Sequence, residues 1–124
     1  MEVFFRSRGL QRVCSTERLM LREVGKGMAR KLMQRLAELR AAEALSDVSH
    51  LPPARLHELT NRKGVFSVDL EHPRRLLFIP ADDPVPRTVD GGIDLAAVRS
   101  VEIINIEDTH DPKNQRRAGK RARR

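Results

Sequence analysis

Tryptophan and tyrosine are absent from this chain of 124 residues, and phenylalanine occurs four times. So few rings exclude a sheet that presents several exposed aromatics for base stacking, unless phenylalanine does all of it. A single cysteine, Cys14, rules out an intrachain disulfide framework, and no Cys/His spacing forms a closed zinc site. No apolar run approaches the roughly 18 residues needed to cross a bilayer, so no membrane partner is expected. The opening MEVFFRSRG lacks the apolar stretch of a secretory signal, which makes the cytoplasm the expected compartment. With 40% hydrophobic residues the chain is still too apolar to be wholly disordered, and its length fits one domain.

Charge is unevenly placed. Residues 113–124 (KNQRRAGKRARR) hold seven basic residues and no acidic one, which accounts for the whole net charge of +7. Residues 1–112 hold 17 basic and 17 acidic residues, with a surplus of +6 over 1–40 and −6 over 41–112. A neutral domain over 1–112 with a cationic, disorder-prone tail over 113–124 points to a phosphate-bearing partner or to a merely solubilising terminus.

Period separates two halves. Val3, Phe4 and Phe5 predict an opening strand; from Ser7, a plausible N-cap, Leu10, Val13, Cys14, Leu21 and Val24 follow a helical period. Gly25 and Gly27 predict a tight turn before a second helix marked by Met28, Leu32, Leu36 and Leu39, with Arg30, Lys31, Arg35 and Arg40 on its remaining surface. Pro52-Pro53 should end any helix. Strands are then expected at 56–60, at Phe66, Val68 and Leu70, at 76–79 and at 101–108, with a hairpin turn at 61–64 and a loop over 80–94. Period two sets Ile104, Ile106, Asp108 and His110 on one face of the last strand. The expected fold is an α+β single domain, β-α-α-β-β-β, in which an N-terminal helical hairpin packs on an antiparallel sheet.

Polar residues could converge beside that sheet: His57, the turn cations Arg62 and Lys63, Arg74 and Arg75 before the fourth strand, and Asp108 with His110. Cleavage of RNA by its own 2′-hydroxyl needs a base, an acid and cations on the phosphate. Two histidines and a bidentate arginine supply these types, and such chemistry requires no metal or other cofactor. His72, beside Pro73, and His50 read as structural, and Cys14 as a core residue. The carboxylates at Asp82, Asp83, Asp90 and Asp94 lack the spacing of a calcium loop.

The segments 25–45, LPPARLHELTNRKGVFSVDLEHPRRLLFIPADDPVP (51–86), DGGIDL (90–95) and VEIINIEDTH (101–110) resemble the HigB branch of the RelE/ParE superfamily, the toxins of bacterial type II toxin–antitoxin pairs. The resemblance implies a RelE-like fold and a metal-independent endoribonuclease, an mRNA interferase acting in the A site of the 30S ribosome. It also implies a cognate helix-turn-helix antitoxin like HigA. By position it assigns catalytic roles to His57, Arg75, Asp108 and His110, and RNA contacts to Arg62, Lys63 and Arg74. On a ribosome-directed protein the tail residues Lys113, Arg116 and Arg117 are expected to add cationic RNA contacts. Many relatives end the last strand in Asp-Tyr-His, whereas this chain reads Asp108-Thr109-His110, so any stacking role of that ring is lost or moves to Phe66 or Phe78. Two other readings stay open on the same fold: a ParE-type gyrase inhibitor, and a non-catalytic relative that only binds antitoxin or nucleic acid.

Overall fold

A computed structural model describes residues 1–108; Thr109, His110 and the basic segment 113–124 lie outside them. The elements run β1 (Glu2–Phe5), α1 (Arg8–Ser15), α2 (Glu17–Val24), α3 (Lys26–Ala41), α4 (Leu45–Val48), a 3-10 turn (Pro52–Ala54), β2 (His57–Glu58), β3 (Phe66–Asp69), β4 (Arg74–Pro80) and β5 (Ser100–Asp108). The class is α+β, as expected.

Helix boundaries follow local chemistry. The Ser7 hydroxyl accepts from the Leu10 N–H at 3.1 Å, so it caps α1 as its type predicts. The expected first helix is broken at Thr16, whose extended backbone (φ −124°, ψ 110°) separates α1 from α2. With the short α4, four helices therefore precede β2 where a hairpin of two was expected. Gly25 makes the second break at φ 82°, a left-handed conformation that suits glycine. Pro52 and Pro53 open a 3-10 turn as well as ending the helical region, because a proline in the first turn has no N–H to leave unsatisfied.

The sheet order is β1-β5-β4-β3-β2. β2 to β5 form an antiparallel meander, but β1 lies parallel to β5, with Glu2 opposite Ser100 and Phe5 opposite Ile103. The expected all-antiparallel sheet is thus a mixed one. Alternation reports which residues share a face, not which strand becomes the neighbour, and a three-residue apolar run sets no direction.

Met28, Leu32 and Leu36 of α3 pack on Phe66, Val68, Leu76 and Phe78, forming the main core on one face. A smaller cluster of Leu59, Leu77 and Ile104, flanked by Val65 and Ile79, lies apart from that core on the opposite face. β3 was expected to be half-buried; instead Ser67 is as enclosed as Phe66 and Val68. A register shift in the β4–β5 pairing falls at Leu77/Phe78. It splits two residues expected to share a face: Ile104 joins the smaller cluster and Ile106 packs on the main core. Among the described residues no helix is long and apolar enough to cross a membrane.

Two stability predictions arise here. Cys14 is buried, and burial, partly opposed by the nearby Arg40 charge, pushes its thiol up to about 11. It should therefore react with a disulfide reagent at neutral pH only once denaturant opens the helices. Asp82 fastens the 80–94 loop to β5, accepting from the Ser100 hydroxyl at 2.8 Å and from the N–H groups of Ser100 (2.9 Å) and Arg99 (3.0 Å). Burial alone would raise this carboxyl, but those hydrogen bonds outweigh it and hold it below the ordinary carboxylate value. The ionised form therefore carries the stabilisation, which is present above the unfolded value and lost as pH falls through the lower folded one. Asp82→Ala should cost on the order of 1 kcal/mol in urea denaturation at neutral pH, with the gap to the parent closing in strong acid.

Candidate functional site: a histidine–arginine pair on the sheet face away from the helices

Register places the site residues. His57 of β2 stands opposite Ser67, which stands opposite Leu77, which in turn faces Asn105. One row along, Asp69 stands opposite Arg75, and Arg75 opposite Glu107. Residues two apart share a face, so both rows lie on the side of the smaller cluster, away from the helices.

His57 and Arg75 meet there, with Nε2 of the ring 2.7 Å from Arg75 Nη1. The Ser67 hydroxyl lies 3.5 Å from the same nitrogen, and ring Nδ1 lies 3.1 Å from the Arg55 carbonyl oxygen. A carbonyl only accepts and a guanidinium only donates. Nδ1 must therefore carry the hydrogen, leaving the Nε2 lone pair aimed at Arg75. The sheet thus holds a neutral imidazole in one tautomer with its basic nitrogen against a cation.

Arg75 is flanked by carboxylates. Its Nε is 3.4 Å from Asp69 Oδ1, and Asp69 Oδ2 is 3.6 Å from Arg55 Nε. Asp69 Oδ1 is buried and accepts no well-aligned hydrogen bond, so its link to Arg75 is ionic. On the other side, buried Glu107 accepts from Arg62 Nη1 at 2.9 Å and from Asn105 Nδ2 at 3.2 Å. The result is a row of alternating charge across the sheet: Arg55, Asp69, Arg75, Glu107, Arg62. Three cations against two carboxylates leave a net positive strip. At the end of β3, Arg55, His72, Arg74 and Arg75 line a cleft of about 160 Å³ together with Asp69.

Of the residues expected from sequence, His57, Arg75 and Arg62 share this face and Arg74 edges the cleft. Lys63 lies elsewhere, in a groove of about 720 Å³ between the β2–β3 turn and the 87–93 loop, which Arg87 also lines. Asp108 stands opposite Arg74, on the parity of Ile106 and Leu76, which belong to the helix-packed face. The β5 carboxylate opposite Arg75 is Glu107. His110, Lys113, Arg116 and Arg117 lie outside the described residues.

Sequence reasoning missed Asp69, Arg55 and Glu107. Asp69 was legible, since it sits two residues from Ser67 on the face turned from Phe66 and Val68. Glu107 was not, because its face depends on the register shift. Arg55 carries no local signal for its left-handed backbone at φ 50°. Phe66 and Phe78 stack on each other with centroids 6.1 Å apart, both buried on the helix side. Neither ring can take over the base stacking suggested in place of a tyrosine.

Among the described residues no group of His, Cys, Asp and Glu is placed to hold a metal ion. The chain matches no family model and no curated protein.

Proposed function

We propose that this protein is an endoribonuclease that cuts RNA by attack of a ribose 2′-hydroxyl on the adjacent phosphorus, and that it is the toxin of a type II toxin–antitoxin pair. The contact between His57 Nε2 and Arg75 Nη1 at 2.7 Å carries the reading. It joins a proton acceptor to a phosphate-binding fork on a net-positive sheet face turned away from the helices.

An incoming phosphate competes for the Arg75 guanidinium, to which its oxygens are better acceptors than a neutral ring nitrogen. Arg75 then turns to the phosphate and uncovers Nε2. That lone pair takes the 2′-hydroxyl proton as the 2′-oxygen–phosphorus bond forms and the bond from phosphorus to the 5′-oxygen breaks. Arg75, with Arg74 beside it, stabilises the charge growing on the phosphoryl oxygens. The leaving 5′-oxygen takes its proton from a separate acid, the role proposed for His110. The products are a 2′,3′-cyclic phosphate and a 5′-hydroxyl, and the cycle needs no cofactor.

The toxin assignment, with mRNA in the ribosomal A site as substrate and a helix-turn-helix antitoxin as partner, is supported by the resemblance over 25–110 and by the cationic tail. Added to a cell-free translation reaction, the purified protein should stop synthesis and leave mRNA cuts at A-site codons. Intact mRNA in arrested reactions, or cutting untouched in both His57→Ala and His110→Ala, would show the reading to be wrong.

A further inference from the structure

Arg35 heads the buried side chains of the described residues by size, at 2% exposure, although its place in the sequence suggested the outer surface of α3. Burying a guanidinium is costly unless its donors are met. All three of its nitrogens are: Nε donates to the Asp69 carbonyl at 2.7 Å, Nη2 to the Pro53 carbonyl at 2.9 Å, and Nη1 to the Glu38 carboxylate at 3.1 Å.

Two of these acceptors belong to the segments that frame the His57–Arg75 pair. Asp69 ends β3, and its carboxylate faces both Arg75 and Arg55. Pro53 lies in the turn that delivers Arg55, whose backbone sits at φ 50°, ψ 52°. A residue with a side chain holds that left-handed conformation only where its surroundings over-determine it. In that conformation the Arg55 carbonyl meets His57 Nδ1 at 3.1 Å, the contact that sets the tautomer of the ring.

We propose that Arg35 is the positioning residue of the site. One rigid guanidinium grips the end of β3 and the Pro53 turn together, and so sets the tautomer of His57 and the seat of Arg75 beside it. The catalytic half of this inference rests on the reading of His57 as base; the tautomer half does not. Lysine cannot substitute, because a single ammonium lacks the planar fork that spans two carbonyls and a carboxylate.

The test compares the full chain with Arg35→Met and Arg35→Lys. Circular dichroism establishes folding, and long-range proton–nitrogen NMR reads the His57 ring nitrogens at about pH 8.5, well above the ordinary imidazole value. His57→Gln identifies the ring signals. The parent should show one protonated and one unprotonated nitrogen, with Nδ1 carrying the hydrogen. Both variants should move the two signals toward each other as the tautomers mix. RNA cleavage by Arg35→Met should fall roughly 10–100-fold in kcat with KM nearly unchanged. A folded Arg35→Met with the parent's ring signals would overturn the proposal. Should Arg35→Met fail to fold, Arg35→Lys decides on the same spectrum. A parent that cuts no RNA overturns the nuclease reading alone, since the ring spectrum still answers for Arg35.

Discussion

Replacing Arg75 by alanine is expected to lower RNA cleavage by about 10²–10³-fold, the usual cost of deleting one donor from a developing oxyanion. Arg75 is 7% exposed, stands between Asp69 and Glu107 in the strand register, and exchanges the ring nitrogen of His57 for a phosphate oxygen when substrate binds. The same burial means that deletion leaves those two carboxylates without the cation between them, and some stability will be lost as well. Arg75→Lys separates the two effects. It keeps the charge and most of the stability but loses the bidentate fork, so its rate should fall between parent and alanine. His57→Ala should cost about 10²–10⁴-fold, in the range of a general base. Because His57 and Arg75 touch, the double variant should be little slower than the worse single one. Single-turnover cleavage of an end-labelled RNA, with a thermal melt of each variant, measures all of this. Parent-like rates in folded Arg75→Ala would remove the pair from the mechanism.

Phe78→Ala should produce the largest loss of stability, about 3–5 kcal/mol for a buried phenylalanine truncated in a packed core. Phe78 is fully enclosed, stacks on Phe66 with the ring planes 18° apart, and sits where α3 packs on the sheet. Collapse around the vacated space is resisted from both sides, by strands held in register and by the helix above. Urea denaturation should show a lower midpoint with an unchanged slope, since the surface exposed on unfolding hardly changes. The per-molecule RNA cleavage of the folded fraction should stay near the parent's, because the ring lies on the helix side, away from His57. A selective loss of RNA binding without loss of stability would instead place this ring in contact with substrate.

Much of the fold was legible because it depends on near neighbours. The Ser7 cap, the Gly25 break, the Gly64 turn and the strands around Phe66–Asp69 and Arg74–Pro80 all follow from residues a few positions apart. The parallel seat of β1 beside β5 is a contact across about a hundred positions, and no period in the sequence reports it. Arg35 was misplaced because helical spacing alone cannot distinguish an outward arginine from one whose three nitrogens find carbonyls and a carboxylate.

The candidate site divides along the same line. His57, Arg62 and Arg75 could be named by residue type, and the meander brings them to one face. Which carboxylate accompanies them depends on a single extra residue at the Leu77/Phe78 register shift, which turns Glu107 toward Arg75 and Asp108 toward the parity of the helix face. Period two carried unbroken through 101–108 selects the wrong member of that adjacent pair for this face. The left-handed Arg55 is likewise a tertiary result, imposed by the turn and by the guanidinium beneath it.

The most direct test asks whether the attacking oxygen belongs to the RNA itself. An RNA cut by the purified protein would be resynthesised with one 2′-deoxyribose at the nucleotide 5′ to the cut and incubated with excess chelator. Cutting should vanish at that bond and continue at unmodified ones, leaving cyclic phosphate ends. Continued cutting at the deoxy position would contradict a 2′-hydroxyl nucleophile and the proton-accepting role given to His57.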